Sequence, residues 1–191
     1  MTHMKITISG TPGTGKTQTS KTLAKKLNYR LININNYAKD KNLIIGKDTY
    51  RKAQIIDEKK LKKESKNIQD NTIIEGHLAH YCKSDLTIIL RTNPDTLRSR
   101  LKKRQWPKKK IEENIESEAL DIILQEAVAN NKNVFEIDTT KSTPQQTKAT
   151  IINIIKNKES KKQHTPGEIN WEKYIIPKKK HQHNLFKTNQ R

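Results

Sequence analysis

The chain has 191 residues, 39 Lys and Arg against 20 Asp and Glu, and a formal net charge of +19. Its apolar fraction of 31% suffices for one core when gathered into strands and amphipathic helices. No apolar run approaches the ~20 residues of a membrane span, and the lone Cys82 excludes an internal disulfide framework and reads as a buried thiol. Residues 1–5 do not read as a signal peptide, so the expected location is cytoplasmic, with no membrane partner. The positive charge favours polyanionic partners, nucleotides and RNA; a solvated, Lys-rich surface is the alternative.

In chain order, Lys5-Ile-Thr-Ile-Ser9 is a short strand. It runs into Gly10-Thr-Pro-Gly-Thr-Gly-Lys16-Thr17, and a helix follows over residues 16–27 with Leu23, Ala24 and Leu27 on one face. Strand, glycine-rich loop and helix are the context in which GxxxxGK[ST] becomes a phosphate-binding loop. Gly10, Gly13 and Gly15 allow positive φ and close approach of backbone amides to phosphate oxygens. Lys16 then reaches the β- and γ-phosphates, and the Thr17 hydroxyl ligates the Mg²⁺ that accompanies ATP.

A second strand covers residues 30–34, followed by Asn35-Asn36 as a turn or helix start and a polar helical stretch near residues 37–41. Leu43-Ile-Ile-Gly46 is a small apolar patch, and residues 54–66 read as one charged helix with Ile55, Ile56 and Leu61 inward. Thr72-Ile-Ile-Glu75 and Leu86-Thr-Ile-Ile-Leu90 lack polar alternation, as parallel strands covered on both faces do. Thr92 or Asn93 caps the next helix, with Pro94 in its first turn. Residues 111–129 read as one long amphipathic helix, 134–138 as the last strand, and Thr143-Pro144 opens a final helix. Five strands alternating with helices make a doubly wound α/β fold with a parallel five-stranded sheet. Its ligands sit beyond the carboxyl ends of the strands, where Asn33, Glu75, His77, Arg91 and residues 138–141 fall. Composition changes at residue 158, after which nine Lys and Arg stand against three Glu. Within this basic extension, residues 169–176 form an aromatic-apolar island expected to dock on the core, and disorder is expected beyond Pro177.

Each candidate side chain has a competing plain reading. Glu75 ends a buried-type strand, where a carboxylate needs a cation: Mg²⁺ or its water shell, or else a structural salt bridge. His77 orients a water or phosphate, or is structural. His77 with His80, and His181 with His183, are weak metal pairs without a third ligand. Asn33 and Asn35 read a second nucleotide or merely build a turn. Arg91 touches a phosphate or closes a core salt bridge. Arg104 belongs to a closing lid or to a solvated basic face. Trp106 and Trp171 read as packing residues.

The segments Gly-Thr-Pro-Gly-Thr-Gly-Lys-Thr (10–17), Ile-Ile-Glu-Gly-His-Leu-Ala-His (73–80), Leu-Arg-Thr-Asn-Pro (90–94), Leu-Lys-Lys-Arg-Gln-Trp (101–106) and Glu-Ala-Leu-Asp (118–121) together resemble the adenylate kinase isoenzyme 6 family in its archaeal form, over residues 4–157. The resemblance implies a P-loop nucleoside monophosphate kinase fold. It implies phosphoryl transfer from ATP to AMP or related monophosphates, with ATP hydrolysis. It also implies a role in small ribosomal subunit maturation beside a platform ribosomal protein and rRNA; an ATPase-switch assembly factor with little kinase activity is the alternative. By position, Gly13, Gly15, Lys16, Thr17 and Gln18 would hold ATP, with Lys141 beside it. Residues 33–57 would form a monophosphate-binding insert using Asn33, Lys39 and Asp57. Residues 103–113 would form a short lid with Arg104 reaching ATP, and Lys16, Glu75, His77 and Arg104 would serve the chemistry. The chain departs from the family where Gln105 replaces the lid glycine, where Glu75 replaces an aspartate, and where Lys39 replaces an arginine able to fork onto a phosphate.

Overall fold

The computed structural model describes residues 3–48 and 53–175. Residues 49–52 of the insert, the segment beyond Pro177, and His181 and His183 lie outside the described residues.

Strands β1 (Lys5–Gly10), β2 (Arg30–Asn33), β5 (Thr72–Glu75), β6 (Leu86–Arg91) and β7 (Val134–Asp138) form a parallel sheet in the order β2-β5-β1-β6-β7. A separate hairpin joins β3 (Ile44–Asp48) antiparallel to β4 (Ala53–Ile56). The helices are α1 (Lys16–Leu27), α2 (Ile34–Asp40), α3 (Glu58–Glu64), α4 (Pro94–Lys103), α5 (Lys108–Ala119), α6 (Ile122–Asn130), α7 (Pro144–Lys156) and the short α8 (Lys158–Lys162).

Every residue of β5 and β6 is buried, which explains why their apolar residues are not alternated with polar ones. Successive side chains take opposite faces of the sheet. Ile73 and Ile88 join Leu23 of α1 and Ile151 and Ile154 of α7 in one layer. Ile74 joins Ile34, Leu61 and Cys82 on the other side, while Ile89 meets Ile123, Leu124 and Ala127 of α6. Helices α4 and α5 make their own small core from Leu97, Leu101, Ile111 and Ile115, capped by Trp106. The register brings Asn33 beside Glu75, Gly10 beside Leu90 and Arg91 beside Asp138, so the strand ends gather on one rim.

Two expectations are corrected. Residues 54–66 are not one helix: Ala53–Ile56 is a strand, and the helix begins at Glu58 behind an Asp57 cap that accepts from the Lys60 N–H. The β-branched pair Ile55-Ile56 alternates as a strand should, Ile56 inside the core and Ile55 exposed. Nor is 111–129 continuous. It breaks at Asp121, which adopts φ 56°, between α5 and α6. The Arg91 Nη2 donates both to the Glu118 carbonyl and to the Asp121 carboxylate, so a buried cation draws two groups that an unbroken helix would hold apart. Aspartate tolerates the left-handed conformation better than most residues.

The caps agree with the chain-order reading: Asn93 caps α4, and Thr143 with Gln146 forms a capping box on α7. Residues 164–175 return to the sheet. Glu136 N–H of β7 donates to His164 O, and the Tyr174 hydroxyl bonds Asn93 and Asp95 at the start of α4. Among the described residues no helix is long and apolar enough to cross a membrane.

Candidate active site

The phosphate cradle is built from the end of β1, the loop 11–15 and the start of α1. Gly10 has φ 137°, and a Cβ there would sit 2.3 Å from the Leu90 carbonyl oxygen. Gly15, at φ 95°, precedes α1 without any side-chain cap, and a Cβ there would meet nothing within 4 Å. Glycine is required at Gly15 by the backbone angle, and the space beside it is open. The uncapped first turn of a twelve-residue helix leaves backbone N–H groups and the positive dipole end facing that space.

Lys16 Nζ donates to the carbonyls of Gly10 (2.8 Å) and Thr11 (3.0 Å), so its ammonium lies folded over the loop. Burial lowers its pKa to about 8 against the opposing pull of Glu75 and Glu118, which leaves it mostly protonated at neutral pH. Glu75, at the end of β5, is 4% exposed. Its two oxygens accept from the Thr17 hydroxyl (3.2 Å) and the Asn33 amide (2.5 Å). Asn33 Oδ1 in turn accepts from Asn35 and Asn36 N–H, so one side chain caps α2 and orients Glu75. No direct ion pair to Glu75 forms among the described residues, and the nearest cation acting on it is the Lys16 ammonium of the cradle. A hydroxyl and a carboxylate, both hard oxygen donors beside the open cradle, suit Mg²⁺ arriving with a phosphate chain.

His77 follows Gly76 at the same rim. Although the side chain reaches the surface, loss of water around the ring, then the Lys16 ammonium, push the imidazole down to about 4, so it is neutral at pH 7. His80 is committed elsewhere: its Nδ1 lies 3.0 Å from Ser9 Oγ and its Nε2 3.0 Å from Glu126 Oε2. The Ser9 hydroxyl donates to the His77 carbonyl, tying this loop to β1. No cluster of three potential metal-binding His, Cys, Asp or Glu side chains occurs among the described residues, so the His77–His80 pair has no third ligand.

Beside the cradle opens a cleft of about 810 Å³. Its walls are Pro12 of the loop, Asn35, Gln54 and Ile56 of residues 33–57, His77, and Trp106, Lys110, Asn114 and Ser117 in and before α5. The remaining expected residues are scattered. Gln18 is exposed in the first turn of α1, and Lys141 is exposed after β7. Arg104 is exposed at the end of α4, close enough for its charge to lower the pKa of Lys16 and of Arg100. Lys39 is exposed in the last turn of α2, and Asp57 is occupied with capping α3; neither lines the cleft. Gln105 holds φ 56°, so the turn between α4 and α5 keeps the left-handed conformation of a glycine with a residue that adopts it at a cost. Arg91 is 2% exposed and pairs with Glu118, Glu136 and Asp121, so it is a core salt bridge and touches no phosphate.

Two residues escaped the sequence reading. Arg100 of α4 donates to the Gly13 carbonyl (3.3 Å) and to the carbonyls of Thr139 (2.8 Å) and Thr140 (3.2 Å), bracing the cradle against the loop after β7. Glu118, 3% exposed, accepts from the Thr11 hydroxyl of the cradle and from Arg91. The signal for Glu118 was its spacing: it falls three residues after Ile115, on the buried face of α5. Arg100 gave none, standing in a run of basic residues.

A family model described as an AAA domain matches residues 6–121. A protein named "Putative adenylate kinase" from Thermococcus kodakarensis is 42% identical over 154 residues, covering 80% of this chain and 86% of its own. A protein of the same name from Methanosarcina barkeri is 42% identical over 178 residues, covering 88% and 97%. Among solved structures, a deoxyadenosine kinase from M. mycoides with bound dATP aligns with TM-score 0.55 at 20% identity, over 81% of this chain and all of that one. A shikimate kinase from Acinetobacter baumannii aligns with TM-score 0.59 at 15% identity, over 81% and 93%. These two likenesses establish the fold. With the P-loop cradle, the parallel sheet order and relatives of this identity and coverage, the chain belongs to the archaeal adenylate kinase family within the P-loop nucleoside monophosphate kinase superfamily.

Proposed function

We propose that the protein transfers the γ-phosphoryl group of ATP to a nucleoside monophosphate, AMP foremost, in the cytoplasm, and hydrolyses ATP when water takes the acceptor's place. The observation that carries this reading is the juxtaposition of a lysine-centred phosphate cradle with a second, 810 Å³ cleft between insert and lid. Lys16 leaves the loop carbonyls for the β- and γ-phosphate oxygens, exchanging weak acceptors for charged ones. An oxygen of the acceptor phosphate forms the new bond to the γ-phosphorus as the bond to the bridging oxygen breaks, giving two nucleoside diphosphates. Thr17 and Glu75 would hold Mg²⁺, which when bound neutralises charge on the phosphate chain. Gly13, Gly15, Gln18 and Lys141 flank the ATP, and Arg104 adds positive charge as the lid closes. Neutral His77 orients the acceptor or water without repelling Lys16. The family likeness and the names of the relatives support the same chemistry. A coupled assay tests it: ATP with AMP, CMP, GMP or dTMP should yield ADP plus the matching diphosphate. An unaltered rate in Lys16→Ala rejects the reading.

A second reading is favoured by one observation, the net charge of +19. In it, slow ATP hydrolysis switches a contact with a small-subunit platform ribosomal protein and rRNA. Binding of small-subunit RNA should then fall steeply with salt and on removal of residues 158–191. RNA affinity independent of both rejects it.

A further inference from the structure

Arg91 stands at the centre of a buried cluster in which one guanidinium faces three carboxylates. Its Nε donates to Glu118 Oε1 (2.9 Å), its Nη1 to Glu136 Oε2 (3.0 Å), and its Nη2 to Asp121 and to the Glu118 carbonyl. Glu118 and Glu136 are 3% and 1% exposed. A single cation does not satisfy that much buried negative charge, so each carboxylate needs further donors. For Glu118 they are the Thr92 N–H (3.0 Å) and the Thr11 hydroxyl in the phosphate cradle. For Glu136 they are the N–H groups of Gly167 (2.9 Å) and Ile169 (3.0 Å), both in the segment that follows α8.

These bonds form one continuous path. It begins at the returning segment and passes through Glu136, Arg91 and Glu118 to Thr11. The Thr11 carbonyl accepts from Lys16 Nζ and from the Thr14 hydroxyl, so Thr11 sits at the hub of the cradle. If the segment lifts, Glu136 Oε1 exchanges two fixed N–H donors for water, and its carboxylate is no longer held in one position against Arg91. Arg91 then holds Glu118 less firmly, and Glu118 is what fixes Thr11.

We propose that Glu118 is a positioning residue for the phosphate cradle and that residues 164–169 set it through Glu136 and Arg91, so that ATP affinity depends on whether this segment is seated. The proposal rests on the reading of the cradle as an ATP site. It adds a regulatory input at the far edge of the sheet, in the segment that leads to the basic tail.

The test is a double-mutant cycle on the full chain, read as the Kd of Mg·ATP by fluorescence titration, with thermal stability in parallel. Thr11→Val should weaken binding roughly tenfold and Thr11→Ser should restore most of it; Glu136→Gln, which touches no cradle residue, should weaken binding roughly fivefold. The double variant should lose less than the product of the two, because both act on one path. Should Glu136→Gln not fold, Gly167→Ala serves: Gly167 has φ 100° and open space around it, so the variant disturbs the N–H position without a clash. Fully multiplicative losses, or a lowered melting temperature with unchanged Kd, overturn the proposal while leaving the ATP site standing. A wild-type protein that does not bind Mg·ATP overturns both.

Discussion

The phosphate cradle and the insert are built differently. In the cradle the side chains and carbonyls around the open N–H groups are held: Lys16 by two carbonyls, Thr11 by Glu118, Thr14 by Thr11, and the Gly13 and Thr14 carbonyls by Arg100 and Thr139. The insert, residues 33–57, holds α2 and a two-stranded hairpin with Ile45 62% and Ile55 45% exposed, and it meets the body where Ile34, Ala38, Leu43 and Ile56 share a cluster with Leu61 and Ile74. A two-stranded hairpin is weakly stable by itself, so its stability comes from that one cluster. The cradle is therefore preorganised for charge, and the insert is the part free to adapt to a second substrate.

The largest expected effect is on the cradle side. Lys16→Ala should lower phosphoryl transfer by roughly a hundredfold or more, because it removes the buried positive charge facing the phosphates; a loss below about fivefold would deny the cradle its central place. Glu75→Gln keeps the shape and the Asn33 contact but removes the charge of the carboxylate proposed to hold Mg²⁺. It should raise the Mg²⁺ concentration needed for half-maximal rate about tenfold, read by titration. On the insert side, Gln54→Ala should raise the KM for the monophosphate roughly fivefold while leaving that for ATP unchanged. Equal changes in both constants would erase the distinction between the regions. Gln105→Gly relieves the left-handed strain in the lid and should stabilise the protein by about 0.5–1 kcal/mol in chemical denaturation. The smallest effect expected is on Cys82, which packs in the cluster between the insert and the sheet. Burial pushes its thiol up to about 12, so alkylation of the native protein at pH 8 should be negligible. Labelling at a rate independent of global stability would show that the insert opens on its own.

Much of the fold was legible in the residues. The stretches 72–75 and 86–90, without polar alternation, read as strands covered on both faces, and the glycine-lysine-threonine spacing at 10–17 placed the cradle. The misread stretches have physical reasons. Charged residues from 58 onward made 54–66 look helical throughout, while the Ile55-Ile56 pair needed a strand partner, Ile44–Asp48, to declare itself. The break at Asp121 was invisible because its cause, Arg91, is thirty residues away in sequence. The same separation hid Glu118 and Arg100, whose partners lie on other elements. Lys39 and Asp57 were placed by resemblance, and the described cleft is lined by neither.

By itself the sequence determined the sheet-and-helix alternation, the phosphate loop and the abundance of positive charge, because each depends on residues that are neighbours or recur at a fixed spacing. Only the tertiary structure decided that Arg91 belongs to a buried knot rather than to a phosphate, that α5 and α6 are separate, and that the C-terminal segment is bonded to β7. Those outcomes turn on which carboxylates and amides satisfy one buried guanidinium, and a buried charge recruits its donors by distance in space, which the order of residues does not encode.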